Sequence, residues 1–223
     1  MNVDEQDYIK KIFKFTYYTS ATIVGVLSTG KLMTSLNFTD RQRTDVFKKY
    51  LDNWGEKSLA DIKLSVDIEN KEIFNDTENF LFLSNHKSLT DVLTIFATAP
   101  QSVRFVAKKS LFKIPLFSHA MRYVGMFEID RKNKNQAIDT LSKVAARLQN
   151  GNDSIVMFPE GTRNQGTGLL PFKKGPFHLA IESGVSVIPV TIINSEKILP
   201  KGSWKMKSGE IKIHYGKPIE TKN

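Results

Sequence analysis

Cysteine is absent from this chain of 223 residues. That excludes a disulfide framework, a thiol nucleophile and a thiolate-ligated metal, and it suits a reducing compartment. Histidine is scarce. The four histidines, at 86, 119, 178 and 214, form no H-x-x-x-H pair, so no metal site is expected. Long apolar runs are missing as well. The uncharged stretch from Phe15 to Gly30 is about sixteen residues long and carries tyrosine, threonine and serine. A spanning helix needs about twenty mostly apolar residues, so this one is short and polar for that task. Residues 1–7 carry Asp4, Glu5 and Asp7, the wrong sign for the start of a secretory signal. No lysine or arginine cluster has the pattern of a helix-turn-helix, a zinc finger or an RNA-recognition motif, so nucleic acid is not an expected partner. No repeat, low-complexity segment or interdomain linker interrupts the chain.

What is present has ordinary globular proportions, 40% hydrophobic and 25% charged, in a length sufficient for one sizeable core. The net charge of +9 points to an anionic partner, either a membrane surface or a phosphate-bearing substrate. Near the N-terminus, Lys10, Lys11 and Lys14 interleave with Ile9, Ile12, Phe13 and Phe15. This spacing predicts an amphipathic helix lying in the membrane interface; a true span and an ordinary core helix are the alternatives. Thr39 with Gln42 forms a capping box before Val46, Phe47, Tyr50, Leu51 and Trp54 at helical spacing. Ile62 to Ile68 alternates as a strand, and residues 69–78 read as a polar loop.

From there strand and helix alternate. Strands are expected at Phe80–Leu83, Val103–Ala107, Val124–Ile129, Ser154–Phe158 and Val185–Ile192. Helices are expected after Val92, over Leu111–Tyr123 with a break at Pro115, over Ile138–Leu148, and between Pro176 and Gly184. Pro189 argues that its strand lies at an edge or carries a bulge. Lys205–Tyr215 reads as a hairpin turning at Ser208-Gly209. The pattern predicts an α/β fold, a mostly parallel central sheet flanked by helices.

Two stretches carry the chemistry. In Asn85-His86-Lys87-Ser88-Leu89-Thr90-Asp91, a histidine follows directly on a buried strand, where α/β sheets bind ligands. Within one continuous helix, His86 and Asp91 would sit roughly 140° apart. Ser88 and Asp91 have the spacing of an N-cap and a third-position carboxylate. With Ser88 as cap, His86 lies in the turn and Asp91 points back towards it. An imidazole held by a carboxylate keeps one tautomer, with its other nitrogen free to take a proton. The plainer alternative is a helix cap beside a surface histidine. The second stretch is Phe158-Pro159-Glu160-Gly161-Thr162-Arg163, followed by Phe172-Lys173-Lys174-Gly175. Arg163 offers a planar fork of donors to phosphate, and Arg131, at another strand end, could share it. Alternatively both arginines are loop struts paired by Glu160 and Asp130.

Together these blocks resemble the glycerolipid acyltransferases, especially the bacterial 1-acylglycerol-3-phosphate acyltransferases. The resemblance rests on NHKSLTD at 85–91, AKKSLFKIP at 107–115 with GMFEIDR at 125–131, FPEGTR at 158–163 and VIPV at 187–190. It implies acyl transfer to the free hydroxyl of lysophosphatidic acid, with phosphatidic acid as product. The donor would be acyl-CoA or acyl carrier protein, with no cofactor. His86 would be the general base, with Asp91 holding it. Glu160, Gly161, Thr162 and Arg163 would bind the glycerol phosphate, with Arg131 nearby and Lys109 a candidate for charge near the thioester or acceptor. Another lysolipid acceptor, such as a lyso-ornithine lipid, and a non-catalytic lipid-binding protein are the alternatives. Asn164 and Ser118-His119 depart from the family pattern. Residues 1–60 are expected to form a helical membrane-association segment and 61–223 the catalytic domain. An enzyme with lipid-tailed substrates is expected at an anionic membrane surface, on the cytoplasmic face.

Overall fold

The structure is a computed structural model and describes residues 3–74, 78–151, 153–203 and 205–221. The chain opens with α1 (Val3–Ser35), α2 (Asp40–Asp61) and β1 (Leu64–Glu69). Next come β2 (Leu81–Ser84), α3 (Thr90–Thr98), β3 (Val103–Lys108), α4 (Phe117–Tyr123), β4 (Phe127–Ile129) and α5 (Lys134–Gln149). It closes with β5 (Ser154–Met157), α6 (Gly175–Ser183), β6 (Val187–Ile193), α7 (Ser195–Ile198) and β7 (Gly209–Tyr215). The strands form one sheet in the order β1-β7-β6-β2-β5-β3-β4. Pairing is parallel except between β6 and β7. The expected mostly parallel sheet flanked by helices is therefore present.

The central strands are short apolar runs because both their faces are covered. Phe80, Phe82, Phe105, Val156 and Ile188 face one core with residues of α1, α2 and α3. Leu81, Val106, Ile155 and Met157 face a second core under α5 and α6. The expected capping box at Thr39 is formed, with Gln42 reciprocating. Asn133 caps α5 through Gln136 N–H, and Gly184 closes α6 in the left-handed region, φ 63°.

Several boundaries differ from the sequence expectation. Ile62 caps α2 and Lys63 turns with φ 53°, so β1 starts at Leu64. Residues 71–73 of the expected loop form a 3₁₀ turn, and 75–77 of that loop lie outside the described residues. The stretch after Lys108 breaks into a 3₁₀ turn, Lys109–Lys113, and a tight turn at Leu116 (φ 61°) before α4 begins. Pro115 explains the break, since it disfavours helix at the residue before it. Gly125 (φ 79°) keeps the chain turning, so β4 starts only at Phe127. The Lys205–Tyr215 hairpin is not formed. Only β7 is a strand, and it pairs with β1 and β6. Pro189 lies in an interior strand, contrary to the edge reading. It sits one residue before the β7 ladder begins at Val190, and its carbonyl accepts from Gly216 N–H at 2.7 Å. Its missing N–H thus faces a gap in the ladder.

Helix α1 packs on α2 and α4 and reaches the first core through Val26 and Met33. Trp54 Nε1–H donates to Thr19 Oγ1 at 3.1 Å, and the Thr29 and Tyr50 hydroxyls lie 2.9 Å apart. The first two helices therefore share the sheet's core. The opposite side of α1 exposes Ile9, Phe13, Tyr17, Val24, Leu32 and, just beyond its end, Leu36. No helix of the described residues is long and apolar enough to cross a membrane.

Helix α3, which carries Asp91, lies against α2 at Gly55. A Cβ there would sit 2.8 Å from Ala97 N and 2.9 Å from Leu93 O, both backbone atoms of α3. Glycine to alanine normally strengthens a helix by about 1 kcal/mol. Here the sign reverses. Gly55→Ala should destabilise by about 1–3 kcal/mol, seen as a lower Tm in thermal unfolding, and an unchanged or higher Tm would mean that the two helices part freely.

Candidate active site

The parallel register places the ends of β2 and β5 side by side, since Leu83 is opposite Met157. The residues that follow, Asn85-His86 and Phe158-Pro159-Glu160, leave the sheet together. β3 and β4 end next to them, delivering Lys109 and Arg131. The four strand ends that carry the expected site residues thus meet at the carboxyl edge of the sheet.

His86 Nδ1 is 2.8 Å from Asp91 Oδ2. The same oxygen accepts the backbone N–H groups of Lys87 (2.8 Å) and Ser88 (2.9 Å). The Asp91 side chain is wholly buried and the imidazole 15% exposed. An ionised carboxylate only accepts, so Nδ1 carries the proton and Nε2 is the basic nitrogen. Nε2 has no hydrogen-bond partner among the described residues. The imidazole stacks on Phe158, with ring centroids 3.9 Å apart and planes 13° from parallel.

Ser88 is not the formal cap, a correction to the sequence reading. α3 starts at Thr90 after Leu89. Ser88 Oγ donates to Leu199 O at 2.8 Å and accepts Thr90 N–H at 3.1 Å, so it lies too far forward to reach Asp91 N–H. Half of the expected box survives, with the Asp91 carboxylate accepting Ser88 N–H.

Glu160, 2% exposed, joins the two loops. Its carboxylate accepts His86 N–H at 3.0 Å and Leu170 N–H at 2.8 Å. It is engaged with the backbone and does not pair with Arg163. Arg131 donates to the Gly161 carbonyl, and burial lowers its pKa. Gly161 takes φ 71°, which its lack of a side chain permits. The Arg163 guanidinium has no partner among the described residues; its carbonyl accepts Lys201 Nζ at 3.1 Å. Both strut readings fail, because Asp130 pairs with Lys109 at 3.0 Å instead. Hydrogen bonds from Lys132 N–H and Lys109 hold the Asp130 carboxyl below its usual range. Thr162 is exposed beside Arg163.

Three further residues were not singled out for these roles from the sequence. Asn85 brackets Ile192, accepting its N–H at 2.7 Å and donating to its carbonyl at 2.8 Å. Phe158 supplies the flat face under the imidazole. Asn164, at the position that departs from the family pattern, is buried. It donates its backbone N–H to His86 O (2.8 Å) and binds Gly166 N–H and Gly168 O with its side chain. Asn85 immediately follows a buried strand, the one sequence signal for its role. For Asn164 there was none.

The Acyltransferase family profile matches residues 65–193, more than half of the chain. The chain belongs to the acyltransferase family. It is 40% identical over 141 residues to the 1-acyl-sn-glycerol-3-phosphate acyltransferase of Haemophilus influenzae, covering 63% of this chain and 58% of that protein. It is 41% identical over 114 residues to the Escherichia coli protein of the same name, covering 51% and 46%. The matched stretch spans about half the length of these relatives. The fold superimposes on the crystal structure of the 1-acyl-sn-glycerophosphate (LPA) acyltransferase, PlsC, from Thermotoga maritima. The TM-score is 0.82 at 26% identity, covering 98% of this chain and 88% of that one.

Removing the Glu160 side chain strands two N–H groups at the base of the site. Each buried donor left unpaired costs about 1–3 kcal/mol. Glu160→Ala should therefore lower Tm by several degrees, while Glu160→Gln, which keeps an acceptor, should recover part of the loss. Equal stability of all three proteins would show that Glu160 does not tie the loops together.

Proposed function

We propose that this protein transfers a fatty acyl group from a thioester, acyl-CoA or acyl carrier protein, to the free hydroxyl of a 1-acylglycerol-3-phosphate, giving phosphatidic acid. The observation that carries this reading is the His86 Nδ1–Asp91 Oδ2 contact of 2.8 Å with Nε2 unengaged. The family relatives, 1-acyl-sn-glycerol-3-phosphate acyltransferases by name, suggest the substrate class.

In this mechanism His86 Nε2 takes the proton of the acceptor hydroxyl as its oxygen attacks the thioester carbonyl. Asp91 balances the imidazolium. The new C–O bond forms, the C–S bond breaks, and the departing thiolate takes the proton back from the imidazolium. Arg163, unpaired and close to the left-handed Gly161 turn, anchors the acceptor phosphate. Glu160 shapes the loop, Thr162 and Arg131 border it, and Lys109 stands with Asp130 at the neighbouring strand end.

Lipid-tailed substrates are costly to extract into water, about 0.8 kcal/mol per methylene. The apolar stripe of α1, Ile9-Phe13-Tyr17-Val24-Leu32, suits peripheral attachment to the bilayer. A net charge of +9 suits an anionic leaflet, which supports a position on the cytoplasmic face.

His86→Ala should lower kcat by about 100-fold or more, the scale of a positioned general base. The assay is label transfer from acyl-CoA, and in parallel acyl carrier protein, to a panel of lysolipids. Full turnover by a folded His86→Ala protein would sink the mechanism, and product from a different lysolipid alone would change the acceptor. Arg163→Ala should mainly raise KM for the phosphate-bearing acceptor. A change confined to kcat would contradict phosphate anchoring.

A further inference from the structure

The opposite edge of the sheet holds a second cleft. It encloses about 460 Å³ and is lined by Asp40 and Arg43 of α2, Arg104 of β3, Arg122 and Tyr123 of α4, and Lys143 and Arg147 of α5, among others. This lies within the range of about 300–1,000 Å³ that takes small ligands. Arg104 is the second residue of its strand, whereas the catalytic edge begins after Lys108. At about 3.3 Å per residue, the cleft lies ~13 Å or more from that edge.

Its charge is one-sided. Five cations and a single carboxylate line it. Asp153 behind it serves two guanidiniums, Arg104 at 3.0 Å and Arg147. Arg122 leans on Glu128 and Lys143 on Asp139, both exposed pairs of little strength. Arg147 also pairs with Asp40 at 3.4 Å, so five cations meet four carboxylates, Asp40, Asp153, Glu128 and Asp139.

The decisive group is Arg104, 1% exposed. One terminal nitrogen donates to Ser102 Oγ (2.8 Å) and Val103 O (2.9 Å), and the other faces Asp153. Its Nε has no partner among the described residues. Gly125 lies over that nitrogen, where a Cβ would come within 3.4 Å. Arg104 and Gly125 both line the cleft. Burial depresses the Arg104 pKa to about 10, against the opposing pull of Asp153. Arg104 is thus a buried guanidinium with one unsatisfied N–H, standing among four more cations that its ion-pair partner Asp153 does not balance alone.

We propose that this cleft binds a phosphate-bearing ligand, at a site separate from the acceptor phosphate site at Arg163. The ligand chemistry is a phosphomonoester or diphosphate, whose doubly charged oxygens suit the half-buried Arg43 and the exposed Arg122 and Lys143 around the mouth of the cleft. Two sources present that chemistry, a lipid headgroup or a soluble phosphate compound. Tyr123 lines the cleft and packs on Gly30 of α1, so the site adjoins the helix with the exposed apolar stripe.

The test is a calorimetric titration of the full chain with pyrophosphate in chloride buffer. A parallel sedimentation assay uses phosphatidylcholine vesicles with and without phosphatidic acid. Four proteins are compared: wild type, Arg163→Ala, Arg43→Ala/Lys143→Ala, and a charge-matched control, Lys205→Ala/Lys207→Ala, each checked by circular dichroism. The expected result is binding that survives Arg163→Ala and the control but weakens roughly tenfold or more in Arg43→Ala/Lys143→Ala. If that loss is seen with pyrophosphate, the site takes a soluble phosphate; if only with phosphatidic acid vesicles, it takes a headgroup. Binding of neither probe, loss only in Arg163→Ala, or equal loss in the charge-matched control would overturn the proposal.

Discussion

One carboxylate oxygen holds the candidate site together. Asp91 Oδ2 accepts from His86 Nδ1, Lys87 N–H and Ser88 N–H, all within 2.9 Å. The two backbone bonds curl residues 86–88 back over the start of α3. That curl is what lets two residues five apart in sequence meet, which a continuous helix forbids. The oxygen can do this because it is fully buried, so water does not compete for its lone pairs. Its partner Oδ1 has no hydrogen bond among the described residues. An unsatisfied buried oxygen is a cost the fold carries at this point, the kind of local compromise that clusters at functional sites.

A second buried carboxylate works by the same physics. Glu160 reaches from the β5 loop to His86 N–H and onward to Leu170 N–H. Together Asp91 and Glu160 fix the histidine from both ends: one sets the ring's tautomer, the other the backbone's position. Phe158 sets the plane of the ring by stacking. The imidazole is thus defined by three elements and left open at Nε2. Meanwhile Arg163 is left free by the engagement of Glu160 elsewhere. A guanidinium with no internal partner beside a left-handed glycine turn is poised for an external anion.

Much of this was legible in the sequence. The strands showed as buried apolar runs, the capping box at Thr39 and the glycine stop after α6 by their residue types, and the His86–Asp91 pairing by its cap-like spacing. What could not be read depended on partners distant in sequence. Asn85 finds Ile192, Glu160 finds Leu170 and His86, and Asn164 finds His86 O, all set by strand order. Pro189 was misplaced for the same reason: its residue type argues for an edge, while the local end of the β7 ladder supplies the gap it needs. The Lys205–Tyr215 hairpin failed because β7 pairs with β1 and β6 across the chain. Periodicity reports faces and caps; it does not report sheet order.

The excess of positive charge is also distributed in a way composition cannot reveal. At the catalytic edge Lys109 is paired by Asp130, while Arg163 stands alone. At the opposite edge Asp153 is shared between Arg104 and Arg147, and the surrounding cations have only exposed partners. Both edges therefore present guanidiniums that the protein's own carboxylates do not saturate, while α1 packs against α2 and α4 and leaves its apolar stripe exposed. Buried guanidiniums resist neutralisation, so these fields persist across the physiological pH range and yield only to anions or salt.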